Sequence, residues 1–159
     1  MDITYNRAEA VNYARTWAFR RNPRYMDFSK LGGDCTNFIC QCVVAGGMPM
    51  NYSNPFGWFY KSPKLRSASF SGVEYLYQFL MRPKQGRGPV AVETPIESLE
   101  VGDIIQLSFD GTKFGHSLLV VQSGSDPKIA THSMDSLDRP LSSYIYAKAR
   151  GLHITGAYK

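Results

Sequence analysis

Apolar positions along the chain follow a helical period in its first half and a strand period in its second. Ala10, Val11, Ala14, Trp17 and Ala18 fall on one stripe of a helix predicted over Arg7 to Arg20. Asn6 stands where an N-cap would, and Asn22-Pro23 stops the helix because the residue before proline avoids the helical region. A second helix is predicted from Cys35 to Ala45, with Phe38, Ile39, Cys42 and Val43 as its apolar face. Asp34 occupies the N-cap position, and Gly46-Gly47 supplies the stop. Pro49 to Ser71 is rich in Asn, Ser, Pro, Gly and aromatics and reads as an ordered loop region. Ser71 then caps a third helix carrying Val73, Leu76, Phe79 and Leu80, and Lys84 to Arg87 is a loop. From there the period is two. Val101–Phe109, His116–Gln122, Lys128–His132 and His153–Tyr158 read as strands, with turns at Asp110-Gly111 and Gly124–Pro127. Helices first and consecutive strands afterwards give an α+β fold, N-terminal helices packed on a mainly antiparallel sheet.

Length and composition narrow the class. The 159 residues, 43% hydrophobic and 19% charged, suit one globular domain spanning 1–159, expected to be monomeric. The net charge of +5 and a pI near 9.2 favour an anionic partner. The densest basic cluster, Arg20, Arg21 and Arg24, is short and followed by Asp27, so no nucleic-acid arm is expected. No stretch approaches the roughly 20 apolar residues of a membrane span. Met1-Asp2-Ile3-Thr4 has neither a basic nor an apolar leader region, so no secretion signal is expected in the chain as given. An extracellular or wall-associated setting would follow if the chain were a domain of a longer exported protein.

The candidate chemistry lies in the cysteines and histidines. Cys35, Cys40 and Cys42 are an odd count crowded into one helix, which argues against a complete disulfide framework and for at least one free thiol. Cys40 and Cys42 read as small core residues. Cys35 opens the helix after Gly32-Gly33. There the helix N-terminus is expected to lower the thiol pKa, and the Cys35 N–H to point at a developing oxyanion. His116 starts a rigid apolar strand and is the candidate base. If the next strand pairs with it as a hairpin, His132 stands at the same end and could orient His116, with Asp135 and Asp126 as rivals. His153 reads as structural or surface.

Two segments then look familiar. GGDCTNFICQCVVAGG resembles the nucleophile segment of papain-like cell-wall hydrolases of the NlpC/P60 and CHAP kind, and VGDIIQLSFDGTKFGHSLLVV resembles their Gly-Asp strand and following His strand. With YNRAEAVNYARTWAFRRNPRY they are most similar to the putative amidase domain family, over Tyr5 to about Tyr144. The resemblance implies a papain-like fold with Cys35 as nucleophile, His116 as base and His132 as orienting residue. It also sets Tyr25 and Asp34 at the oxyanion and substrate side. It implies a thioester mechanism without metal or cofactor, on a peptide or peptidoglycan substrate. Thr36-Asn37 departs from the common Ser-Gly after the cysteine, and the long aromatic stretch before the Gly-Asp strand has no simple counterpart in smaller relatives.

Other classes share these residues. A zinc hydrolase could use Cys35, His116 and His132 as ligands, although neither a short ligand spacing nor HExxH is present. A non-catalytic module could bind wall fragments or a protein in the same cleft. A transferase would pass the same thioester to an amine.

Overall fold

The computed structural model describes residues 1–83 and 86–159; Lys84 and Gln85, part of the expected Lys84–Arg87 loop, lie outside the described residues. Three helices precede most of the sheet: α1 Arg7–Trp17, α2 Cys35–Ala45 and α3 Val73–Leu80. A two-stranded hairpin, β1 Tyr60–Ser62 and β2 Leu65–Arg66, interrupts them. The main sheet comprises β3 Gly88–Thr94, β4 Ile104–Ser108, β5 His116–Gln122, β6 Lys128–Thr131, β7 Ser136–Pro140 and β8 Lys148–Tyr158. Their spatial order is β3-β8-β4-β5-β6-β7, and every neighbouring pair is antiparallel. The expected α+β class therefore stands, with a wholly antiparallel main sheet among the described residues. No described helix is long and apolar enough to cross a membrane.

Asn6 caps α1 as its sequence position predicts, its side chain accepting the Glu9 N–H at 3.1 Å. The helix ends at Trp17, earlier than Arg20, because the chain tightens there and the Arg20 N–H returns to the Trp17 carbonyl. Helix α2 differs more. Cys35 through Val43 is buried without a break, so α2 is a central helix and not a surface helix with one apolar face. Gly46 shows why it can be so deep: a Cβ there would run into the Tyr5 ring. The left-handed residue past the helix is Gly47, at φ 89°. Gly72, rather than Ser71, precedes α3.

The sheet is buried on both faces. Leu119, Val121, Ala130, Ile104, Leu152 and Ile154 join the helices in the larger core. Ile105, Leu107, Leu118, Val120 and Ile129 face the other way, covered by Leu99, Leu141, Tyr144 and Ala149. This explains why β4 and β5 read as nearly continuous apolar runs. It also fixes the histidines. Leu107 pairs with His116, and Gln106 with Ser117. Leu119 pairs with Ala130, and that register, carried toward the start of β5, sets Ser117 opposite His132. Directly paired residues share a face and successive residues alternate. His132 therefore faces the helices with Ser117, and His116 faces the opposite side with Leu107.

Candidate active site

Helix α2 begins at Cys35, where the first backbone N–H groups of any helix lack intrahelical partners. The thiol is 7% exposed and rests against β5, receiving the backbone N–H of Ser117 and lying 3.9 Å from Thr36 Oγ1. Thr36 Oγ1 is in turn 3.0 Å from Ser117 Oγ, so adjoining residues of the two elements pin the cysteine to the strand. His116 immediately precedes Ser117. Its ring lies 5.9 Å from that of Tyr144 and 6.1 Å from that of Phe109, centre to centre. Tyr144 lies within electrostatic reach of the Cys35 sulfur as well. Cys35 and His116 thus both lie at the start of β5, the sulfur against Ser117 on the helix side and the His116 ring on the other side beside Tyr144. Among the described residues no hydrogen bond joins them directly.

Burial governs the electrostatics. It raises the Cys35 thiol pKa above its ordinary value; the Ser117 N–H and the Thr36 side chain pull the other way and do not overcome it. The expectation that the helix terminus would lower this pKa is corrected here: desolvation outweighs the N-terminal hydrogen bonds. Burial also lowers the His116 pKa to about 4, assisted by the positive charge of Arg139. At neutral pH the pair is therefore a thiol and a neutral imidazole. Neutral imidazole is the form that can accept a proton.

His132 has other partners. Its Nε2 lies 2.8 Å from the Trp17 carbonyl and its Nδ1 lies 2.6 Å from Asp34 Oδ2. Nε2 must donate to the carbonyl, so a proton also lies between Nδ1 and the carboxylate. The ring stacks on Phe38 at 3.9 Å, and both His132 and Asp34 are 1% exposed. Asp34 does not cap α2 with its side chain. Its Oδ1 instead accepts the Phe28 N–H at 2.8 Å and the Asn37 amide at 3.0 Å. The Asp34 N–H donates to Ser133 Oγ at 3.0 Å. Asp34 and His132 thus bind each other inside the fold, just behind Cys35. Of the rival acids, Asp135 pairs with Arg21, whose Nε is also 3.7 Å from Asp34 Oδ2, and Asp126 lies apart with Ser142. Tyr25 packs on Tyr60 and Phe70, with ring centres 5.0 and 6.1 Å away. His153 pairs with the buried Asp103 at 2.8 Å.

Beside His116 opens a cleft of about 320 Å³ lined by Phe109, His116, Ser133, Met134, Arg139 and Tyr144. Ser133 and Met134 both hold φ 67°, a left-handed conformation that non-glycine residues adopt at a cost of about 1–3 kcal/mol each. Sequence reasoning passed over Ser117, Ser133, Arg139 and Tyr144. The β5 period placed Ser117 in a strand but said nothing of its N–H on sulfur. The other three follow β6, where no periodic signal marks them. The zinc reading needs Cys35, His116 and His132 together. Among the described residues no cluster of three or more such side chains is arranged to hold a metal, and both nitrogens of His132 are already engaged.

A thiol at a helix start, a neutral histidine on the adjoining strand and an open cleft beside that histidine define the class: an α+β protein with a candidate thiol-dependent site. The sequence places it further. Residues 4–155 match the family described as Putative amidase domain, and the chain belongs to that family. It is also 36% identical over 137 residues to a protein of Bacillus subtilis (strain 168) named Uncharacterized protein YhbB; the match covers 83% of this chain and 42% of that protein's length. No solved structure matches significantly.

Proposed function

We propose that this chain is a cysteine-dependent amide hydrolase with papain-like architecture, and that Cys35 and His116 carry the reaction. One observation supports this most: Cys35 opens a buried helix with its sulfur held against Ser117 of β5, the residue that follows a histidine kept neutral by burial. Membership of the amidase family agrees with amide hydrolysis.

The chemistry follows from the resting protonation states. As Cys35 Sγ adds to the amide carbonyl, its proton passes to His116, and the oxyanion forms beside the first N–H groups of α2. The tetrahedral adduct collapses, the C–N bond breaks, and His116 returns the proton to the departing amine. The product is a thioester on Cys35. Water then adds to it while His116 takes a proton, and collapse releases the carboxylic acid and restores the thiol. Apo geometry without a direct Cys35–His116 hydrogen bond is compatible with this, since such contacts tighten when substrate is bound.

Asp34 and His132 act as positioning residues in this reading. They hold α2's first turn through the Phe28 loop and the end of β6, and do not touch the reacting atoms. The net charge of +5 suits an anionic polymer, and peptidoglycan stem peptides are the proposed substrate class.

The test is release of free amine from peptidoglycan fragments and simple peptide amides, followed by mass spectrometry. Cys35→Ser and His116→Gln should each reduce it by about 10²-fold or more. Full activity in Cys35→Ser would sink the thioester mechanism. Binding of the fragments without turnover by the unsubstituted protein would favour the non-catalytic module instead.

A further inference from the structure

The cleft beside His116 contains a cation and no acid. Arg139 lies on β7, paired with Ile129, and so projects to the same face of the sheet as His116. Its guanidinium carbon stacks over the Tyr144 ring, 3.6 Å from the centroid. Nε donates to Ser143 Oγ at 2.7 Å, and that hydroxyl donates onward to the Pro140 carbonyl at 2.7 Å. Nη2 reaches only the Ser143 carbonyl, at 3.5 Å, and Nη1 has no hydrogen-bond partner among the described residues. Arg7, Arg15, Arg21 and Arg150 each pair with a carboxylate, whereas Arg139 has none among the described residues. The group is therefore held rigid on one edge by Ser143 and on one face by Tyr144, with its other edge unspent. Tyr144 also lines the cleft, but its hydroxyl oxygen is buried and lies within reach of the Ser136 and Arg139 side chains. The remaining wall is Ser133, whose Oγ accepts the Asp34 N–H, and the apolar Phe109 and Met134.

We propose that this cleft binds a free carboxylate of the substrate, held by Arg139, so that amides flanked by an acidic group are preferred. A planar guanidinium with a free edge matches a carboxylate bidentately. Phe109 and Met134 suit the methylenes that carry the carboxylate. The site lies alongside His116, so it sets which amide is presented to Cys35. The inference rests on the hydrolase reading only in naming the ligand a substrate; the site itself can be tested without turnover.

The test is NMR titration of protein labelled with ¹⁵N-histidine, following the His116 ring, on the Cys35→Ala variant. The probes are N-acetylglutamate α-amide, with a side-chain carboxylate only, N-acetylglutamine, with a terminal carboxylate only, and N-acetylglutamine α-amide, with neither. At least one carboxylate probe should shift the His116 resonances, and the arm that does so identifies the source of the carboxylate. The neutral probe should bind roughly tenfold more weakly or not at all. Arg139→Gln should remove that preference, while Arg139→Lys, which keeps the charge and loses the fork, should retain part of it. Unchanged thermal unfolding of both variants confirms that they fold. Equal binding of the neutral probe, or an undiminished preference in Arg139→Gln, would overturn the proposal. Carboxylate binding beside an unsubstituted protein that hydrolyses no amide would leave this site standing and remove the hydrolase reading.

Discussion

At the scale of single residues, burial decides what the candidate pair can do. The raised Cys35 thiol and the lowered His116 imidazole both favour the neutral thiol–imidazole pair over a thiolate–imidazolium pair at rest. The reaction must then move the proton during attack. Two outcomes follow. The activity (kcat/KM) should rise with pH through about 4, as His116 loses its proton, and stay level through neutrality. Iodoacetamide labelling of resting Cys35, read by peptide mass spectrometry, should stay slow near pH 7 and climb only in the alkaline range above an ordinary thiol's titration. Fast labelling at pH 6 to 7 would mean a preformed ion pair and refute this account. His116 also ties stability to pH. Its folded pKa is below that of the unfolded chain, so between about 4 and 6.5 the unfolded state binds a proton that the folded state refuses. Its contribution is fully present above that window and declines as pH falls through it.

At the scale of elements, the start of α2 is held from three sides. The Asp34–His132 pair joins the end of α1, through the Trp17 carbonyl, to the end of β6 and to the first residue before Cys35. Ser133 adds a second tie to the Asp34 N–H, and Gly33 lets it approach: φ is 109°, and a Cβ would sit 3.2 Å from Ser133 Oγ. His132→Ala would leave the Asp34 carboxylate buried without its proton-sharing partner and remove the stack on Phe38. The expected loss is about 3–5 kcal/mol, read as a lower urea midpoint. A loss below about 1 kcal/mol would show that Asp34 finds other compensation. Parts of this arrangement were legible in the sequence. The period of 10–18 gave α1, the Asn6 cap held, and Asp34-Cys35 marked the start of α2. The alternation rule itself, once the β5–β6 register is known, explains why His132 turns toward the helices. Other parts left no mark. Strand β3 contains Gly88 and Pro89 and has alternation too short to read, and it forms because β8 offers it an edge. Strand β7 is polar and half-buried, and β8 extends back to Lys148 through residues without a period. Ser133 and Met134 are not residue types that announce a left-handed turn. Arg139 and Tyr144 follow that turn, so the cleft was hidden with it.

At the scale of the whole molecule, a second buried acid holds the two halves of the chain together. Asp103, of the Gly-Asp pair that heads β4, is fully buried. It takes Arg7 Nη1 at 2.7 Å, His153 Nδ1 at 2.8 Å, and the N–H groups of Glu100 and Ile154 at 2.8 and 2.9 Å. Arg7 spans further, to the Val101 and Ile154 carbonyls, and the Tyr5 hydroxyl donates to the Gly102 carbonyl. One carboxylate therefore joins the N-terminal helix, the head of β4 and the middle of β8. Residues about 50 and about 96 positions away meet on it, so its contacts form only when the sheet closes against α1. Asp103→Ala would leave the partly buried Arg7 with only the exposed Glu100 as counter-charge and the buried Ile154 N–H without its acceptor. Removing one partner of a buried charged network is worth about 3–5 kcal/mol, a large share of the 5–15 kcal/mol that holds a typical domain together. Asp103→Asn, which keeps the shape and loses the charge, should cost less. Urea unfolding of both variants, followed by circular dichroism and by the fluorescence of Trp17 and Trp58, measures this. One cooperative transition shifted strongly for Ala and partly for Asn is the expected result. If the sheet signal moves while Trp17 on α1 does not, the two halves unfold separately and Asp103 does not unite them.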